Sequence, residues 1–125
     1  MNRLAVLVVV TGVAFGCSKK EESTASSSAP VVTPEASELF TQRCVTCHGA
    51  DGKGTGPAAA NLNPKPRDYT DPAWQGSVTD DDLRKVIVKG GAAAGKSPLM
   101  PPNPDLESKP EVVNGLVAKI RSFKK

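Results

Sequence analysis

The stretch Cys44-Val45-Thr46-Cys47-His48 carries the most specific chemistry in this chain. Residues three positions apart on a helix are neighbours, so the two thiols of this motif can face the same side. Thiols at this spacing can reach the two vinyl groups on one edge of a porphyrin and form thioethers, while the next imidazole reaches the iron. C-x-x-C-H is the attachment pattern of haem c. The motif therefore predicts one covalent haem c, with His48 as an iron ligand.

Three other uses of the motif fit the rest of the chain less well. A thioredoxin-like C-x-x-C needs a βαβ setting, and nothing in the sequence alternates in that way. A structural zinc site needs four Cys or His ligands. The chain has three cysteines and one histidine, and the acylation predicted below for Cys17 leaves three ligands, which cannot close a tetrahedral site without a carboxylate. A plain disulfide between Cys44 and Cys47 is possible, but it would leave His48 unexplained.

Working outward, residues 35–43 are predicted to form a helix that ends at the motif, because Ala36, Leu39 and Phe40 share one face. The motif and its surroundings resemble the class I c-type cytochromes. That family has an aromatic residue four positions before the first cysteine, where Phe40 stands, and a small residue four further back, where Ala36 stands in place of the commoner glycine. The resemblance implies an all-α fold: a small cytochrome c domain with three main helices and loops around one haem.

The segment that follows the motif is predicted to be loop, because residues 49–57 contain four glycines. By the resemblance, the carbonyl of Pro57 accepts a hydrogen bond from the ligand imidazole, and Leu62 packs on the porphyrin. Further along, residues 61–71 are predicted to be an extended loop. The polar side chains in and after it are candidates for binding haem propionates, or equally for ordinary solvation and packing: Arg67, Tyr69 and Trp74.

The second axial ligand is predicted by elimination. His48 is the only histidine, so ligation by two histidines of one chain is excluded. Met1 leaves with the signal segment described below, and Met100 is then the only thioether. It lies in Ser97-Pro98-Leu99-Met100-Pro101-Pro102, a stiff segment that can hold a weak ligand in place. Such a Met-Pro pair after a glycine-rich stretch also resembles the distal ligand loop of the family.

A middle helix is predicted to begin after Thr79, an N-cap residue followed by three aspartates that suit the positive end of a helix. Gly90 and Gly91 are predicted to end it. The aspartates are interpreted as capping residues and not as a metal site.

A final helix is predicted over residues 110–123, with Pro110 at its start. Its apolar face comprises Val112, Val113, Leu116, Val117, Ile120 and Phe123. The family usually has an aromatic residue at the position of Lys119, and we expect Phe123 to pack in its place.

The net charge is weak at +3, and it falls to +2 when Arg3 leaves with the signal segment. This field is too small to indicate a nucleic-acid partner. Five basic residues are candidates for steering acidic partners to an exposed haem edge, or are ordinary solvated side chains: Lys53, Lys85, Lys89, Lys96 and Arg84.

The N-terminus predicts export and a lipid anchor. Residues 1–16 fit a signal peptide, since their apolar run of twelve residues is too short to span a bilayer. The run ends at Gly16-Cys17, which resembles the lipobox of bacterial lipoproteins and implies acylation of Cys17; a secreted protein with a chance cysteine and an uncleaved anchor helix are the alternatives. Residues 17–34 are predicted to be the lipidated cysteine and a Ser-rich tether, and residues 35–125 the cytochrome domain.

The sequence therefore predicts a single-electron carrier and not an enzyme. The expected location is the periplasmic side of a membrane, with the outer membrane favoured because Ser18 follows the cysteine. Expected partners are redox proteins: a donor dehydrogenase or quinol-oxidising complex, and an acceptor oxidase or reductase. The alternatives are a haem sensor or weak peroxidase with a displaceable Met100, and a subunit of a larger oxidoreductase.

Overall fold

The structure, a computed structural model, describes residues 30–125, and within that range it is helical with no strands. Five α-helices are present: α1 Pro34–Leu39, α2 Val45–His48, α3 Pro72–Ser77, α4 Asp80–Ala93 and α5 Pro110–Arg121. A π-helical turn, Phe40–Cys44, joins α1 to α2, and two short 3₁₀ turns span Pro57–Asn61 and Pro104–Leu106. The prediction of an all-α fold is confirmed. The predicted signal peptide, the acylated Cys17 and residues 17–29 of the tether lie outside the described residues.

The first helical segment begins one residue earlier and continues further than the sequence predicted. Thr33 caps α1 by accepting a hydrogen bond from the N–H of Ala36, and Pro34 occupies the first turn. Helical backbone then continues through the π turn and α2 to Gly49, whose φ of 75° ends it. The attachment motif therefore belongs to the same helical segment as the apolar face before it.

The predicted N-cap of the middle helix is confirmed. The Thr79 hydroxyl accepts from the N–H of Asp82, and the Asp82 carboxylate accepts from the N–H of Thr79, which forms a capping box. Gly90 has a φ of 80°, so the regular helix is interrupted where the sequence predicted its end, and a further turn then runs to Ala93. Helix α3 was not predicted, although Asp71 and Pro72 form an N-cap and N1 pair that marks its start.

The core lies where α1 crosses α5, and α4 also packs against α5. The predicted apolar face of α5 is buried, namely Val112, Val113, Leu116, Val117 and Ile120. Phe123 follows the end of α5 and packs on Phe40, with ring centroids 5.5 Å apart. The ammonium of Lys119 lies 4.9 Å from the centroid of the Phe123 ring. Phe123 therefore packs in the core, as we expected for it in place of an aromatic residue at position 119.

Among residues 30–125, no helix combines the length and the apolar character needed to cross a membrane.

Candidate haem site

The attachment motif lies at the join of two helical geometries. Cys44 is the last residue of the π turn, and Cys47 and His48 are in α2. The two thiols form no disulfide and are both half-buried. Burial raises the pKa of the Cys44 thiol to about 11. Its sulfur is therefore protonated at neutral pH.

His48 is buried, and each of its ring nitrogens faces an oxygen atom. Nδ1 lies 3.4 Å from the carbonyl oxygen of Arg67, and Nε2 lies 3.0 Å from the hydroxyl of Tyr69. Burial lowers the pKa of His48, so its imidazole is neutral at pH 7. A neutral ring has one N–H and one lone pair. The arrangement that satisfies both contacts has Nδ1–H donating to Arg67 and Nε2 accepting from Tyr69.

The acceptor found at Nδ1 differs from the one implied by the resemblance, which was the carbonyl of Pro57. Pro57 instead begins the first 3₁₀ turn. The segment around Arg67 lies against the glycine-rich loop, where the N–H of Tyr69 donates to the carbonyl of Gly52 at 2.7 Å and a Cβ on Gly54 would clash with the carbonyl of Pro66. This close packing brings the Arg67 carbonyl to His48.

One cavity is bordered by candidate site residues that were predicted from different segments of the sequence. Its walls include Cys44, His48, Tyr69 and Met100, and the remainder are mostly aliphatic side chains from α1, α4 and α5. Met100 is half-buried, whereas its neighbour Leu99 is exposed. The predicted thioether ligand and the predicted imidazole ligand therefore border the same space.

The segment that carries Met100 is non-helical, as predicted, and is fastened to the end of α4. The N–H of Gly91 donates to the carbonyl of Met100 at 3.0 Å, and the N–H of Asn103 donates to the carbonyl of Val88 at 3.0 Å. A Cβ on Gly91 would clash with the carbonyl of Ser97. The two glycines at the end of α4 thus give the loop room to pack directly on the helix.

The donor set suits a haem with one nitrogen and one sulfur ligand. An imidazole and a thioether border one cavity, and two cysteines in C-x-x-C-H spacing precede the imidazole. Because Nε2 has a single lone pair, its hydrogen bond with Tyr69 and a bond to iron exclude each other. Iron ligation through Nε2 therefore requires the Tyr69 hydroxyl to lie elsewhere.

Arg67, Tyr69 and Trp74, the three candidates for binding propionates, form a stack with His48 at the cavity. The Tyr69 ring is stacked on His48 with centroids 4.5 Å apart and on Trp74 with centroids 5.4 Å apart. The guanidinium of Arg67 lies 5.8 Å from the centroid of the Trp74 ring. Tyr69 is buried, and burial raises the pKa of its hydroxyl. Their binding of propionates stays a prediction. Leu62 is half-buried and, like Pro57, is not among the residues that line the cavity.

The hydrogen bonds that support Tyr69 were not predicted from the sequence. The side-chain amide of Gln75 is buried and donates to the carbonyls of Tyr69 and Ile120, at 2.8 and 2.9 Å. Arg121 in turn donates to Gln75 Oε1 at 2.9 Å. These bonds join residues up to 46 positions apart, so no local sequence signal marks them.

Several of the basic residues considered for steering are paired with acidic neighbours. Arg84 pairs with Asp81, Lys89 with Glu107, and Lys53 with Asp51. Pairing of this kind reduces the positive field that a partner would meet. Within residues 30–125, no group of three or more His, Cys, Asp or Glu side chains is placed to hold a metal ion.

An all-helical domain that carries a C-x-x-C-H motif is characteristic of a c-type cytochrome. The chain belongs to the cytochrome c family, which its residues 34–124 match. It is similar to the solved structure described as "KustC0563 c-type cytochrome", with 32% sequence identity, 72% of this chain and 98% of that chain covered, and a TM-score of 0.54. No curated protein matches the chain. Family membership identifies haem-based electron transfer as the activity of the domain, with haem c as its covalently bound cofactor.

Proposed function

We propose that this chain is a mono-haem electron carrier of the class I type. Its haem c is attached through Cys44 and Cys47, and His48 and Met100 ligate the iron. The observation that carries the proposal is the single cavity bordered by Cys44, His48 and Met100. Haem c supplies a one-electron redox couple when it is bound.

The ligand set favours electron transfer over catalysis. With His48 and Met100 both bound to it, the haem iron would have no coordination position open to a substrate. A thioether also raises the haem potential, as in other proteins with His/Met ligation. The sequence supports a single haem, because it contains one C-x-x-C-H motif and one histidine.

The proposed carrier works outside the cytoplasm on a lipid anchor. The support is in the sequence: the signal-like residues 1–16, the lipobox-like Gly16-Cys17 and the Ser-rich segment that follows. A carrier held in this way would exchange electrons with redox proteins on the same membrane, where tethering raises their effective concentration.

The decisive variant is Met100→Ala, prepared as holoprotein in a host with a haem maturation system. We expect the Met–iron absorption band to disappear and carbon monoxide to bind the reduced protein. The reduction potential should fall by about 0.1 V or more, since axial ligands set haem potentials over a range of about 0.8 V. The measurements are optical spectra and a redox titration.

Leu99→Ala is the matched control, because Leu99 is the exposed neighbour of Met100 and its truncation should leave spectrum and potential unchanged. An unaltered spectrum in Met100→Ala would remove Met100 from the iron. Rapid carbon monoxide binding by the unmodified protein would favour a sensor or weak peroxidase instead.

A further inference from the structure

Arg43, which immediately precedes the attachment motif, makes a bidentate ion pair with Asp105, a residue distant in sequence. Its Nη1 lies 2.9 Å from Oδ1 of Asp105, and its Nη2 lies 3.0 Å from Oδ2. Nη1 also donates to Oδ1 of Asn103 at 3.2 Å. Paired N–H donors of this kind fix the orientation of the two groups as well as their distance.

Asn103 connects this ion pair to the loop that carries Met100. While its Oδ1 accepts from Arg43, its Nδ2 donates to the carbonyl of Ile87 at 2.8 Å, and its N–H donates to the carbonyl of Val88. Asn103 therefore contacts both the attachment segment and the end of α4. Met100 is only three residues away, with its own carbonyl held by Gly91.

Within residues 30–125, the side-chain hydrogen bonds that directly join the segment of the attachment motif to the Met100 loop and the turn after it all come from Arg43. The bonds of Asn103 to α4 orient the loop on that helix, but they do not fix it to the motif. A link between the two is needed because the two proposed iron ligands lie on separate segments.

We propose that Arg43, Asn103 and Asp105, which we call the Arg43 cluster, position Met100 by fastening its loop to the attachment helix. The inference rests on the proposed His/Met ligation. The cluster controls how often the loop opens and lets Met100 leave the iron. Arg43 and Asp105 do not line the cavity, and Asn103, which borders it, acts through the loop that carries Met100, so all three are positioning residues.

The size of the effect follows from exposure. The side chains of Arg43 and Asp105 are 40% and 51% exposed, and ion pairs at such sites change an equilibrium by about two- to fivefold. The additional hydrogen bond between Arg43 and Asn103 raises the upper limit of the expected change in loop opening to about tenfold. Removing the cluster should therefore loosen Met100 without unfolding the domain.

The test compares imidazole binding to the oxidised holoprotein in the unmodified chain, Arg43→Gln and Asp105→Asn. Imidazole must displace Met100 to reach the iron, so its apparent affinity rises with the fraction of molecules in which the loop is open. We expect both variants to bind imidazole two- to tenfold more tightly. The amide of Asn103 should also exchange its hydrogen faster by a similar factor, which reports on the loop without reference to the iron.

Two further variants sharpen the comparison. Arg84→Gln is the matched control, because Arg84 is also a half-exposed arginine, paired with Asp81 and with Asn114 in α5, away from the loop. It should bind imidazole as the unmodified protein does. The double variant Arg43→Asp with Asp105→Arg restores opposite charges. It should therefore bind imidazole less tightly than the single variants, with an affinity closer to that of the unmodified protein.

Wild-type imidazole affinity and wild-type Asn103 exchange in both single variants would overturn the inference. An equal gain in Arg84→Gln would overturn it too, because the effect would then come from charge in general. Failure of the underlying ligation has a different signature: Met100→Ala would bind imidazole no more tightly than the unmodified protein.

Discussion

His48 shows how much of a site depends on a single side chain and its two nitrogens. The carbonyl of Arg67 at Nδ1 suits a histidine ligand, because such a bond fixes the tautomer and the plane of the ring. At Nε2 stands the hydroxyl of Tyr69, 3.0 Å away. The backbone therefore orients the ring through Nδ1. At Nε2, iron would have to replace the Tyr69 hydroxyl.

Thr79 offers a residue-scale prediction in which the pH dependence can be worked out. We expect Thr79→Ala to reduce the free energy of unfolding by about 1 kcal/mol, since it removes an N-cap from α4. Thr79→Ser keeps the hydroxyl and should retain most of the stability. Denaturant unfolding of the holoprotein at pH 7 measures both.

Asp82 sets the pH at which this difference begins to shrink. The Thr79 hydroxyl and N–H both donate to its carboxylate, and they hold the pKa of Asp82 below its ordinary value of 3.8. A lowered carboxyl pKa stabilises the folded protein above the unfolded pKa, and that contribution is lost as the pH falls through the folded pKa. The difference between the unmodified protein and Thr79→Ala should therefore be constant near neutrality and shrink below about pH 4. A difference that persists unchanged at lower pH would contradict the capping box.

At the scale of elements, the crossing of α1 and α5 depends on two small residues. Ala36 is fully buried in α1, and a Cβ built on Gly115 of α5 would lie 2.7 Å from the Ala36 Cβ and 2.9 Å from the Thr33 hydroxyl. The small residue on α1 was predicted from its place before the motif. Gly115 was not predicted, because a glycine inside an apolar helical pattern does not reveal which helix will cross there.

Gly115→Ala should therefore destabilise the holoprotein by about 1–2 kcal/mol. Forcing a methyl group into a packed contact costs about 1–3 kcal/mol, and the better helix propensity of alanine offsets up to about 1 kcal/mol. Gly76→Ala in α3 is the control, since a Cβ there meets no atom within 4 Å, and it should be neutral or stabilising. The measurement is denaturant unfolding; equal stabilisation by both alanines would show that the helices do not cross closely at Gly115.

The elements that sequence predicted well are those with local causes. The cap at Thr79, the break at Gly90 and the apolar face of α5 each follow from residues a few positions apart. The Met100 segment was also predicted correctly as non-helical, because prolines flank it. Contacts such as Arg43 with Asp105, 62 positions apart, and Gln75 with Ile120, 45 apart, depend on how the helices assemble. The finding that the carbonyl of Arg67, and not that of Pro57, lies at His48 Nδ1 also depends on assembly, because it results from the packing of two loops.

For the whole molecule, we expect the helical domain and the N-terminal segment to have separable roles. The proposed iron ligands and the hydrogen bonds described around them all lie between Thr33 and Arg121. The proposed anchor, Cys17, is outside the residues that the structure describes. A change at the anchor should therefore alter where the protein works and leave its redox site intact.

Cys17→Ala tests this separation. In a bacterial host that acylates lipoproteins, we expect the unmodified protein to remain with membranes and to carry the added mass of its acyl chains, because several chains together bind stably where one binds marginally. Cys17→Ala should lose that mass while keeping the haem spectrum and potential of the unmodified protein. Ser27→Ala, in the same polar segment, should behave like the unmodified protein in fractionation and mass spectrometry. If the unmodified chain carries no acyl mass, the proposed lipid anchor is wrong. Loss of residues 1–16 from a protein released from membranes would then indicate a secreted protein, and their retention in a membrane-bound protein an uncleaved anchor helix.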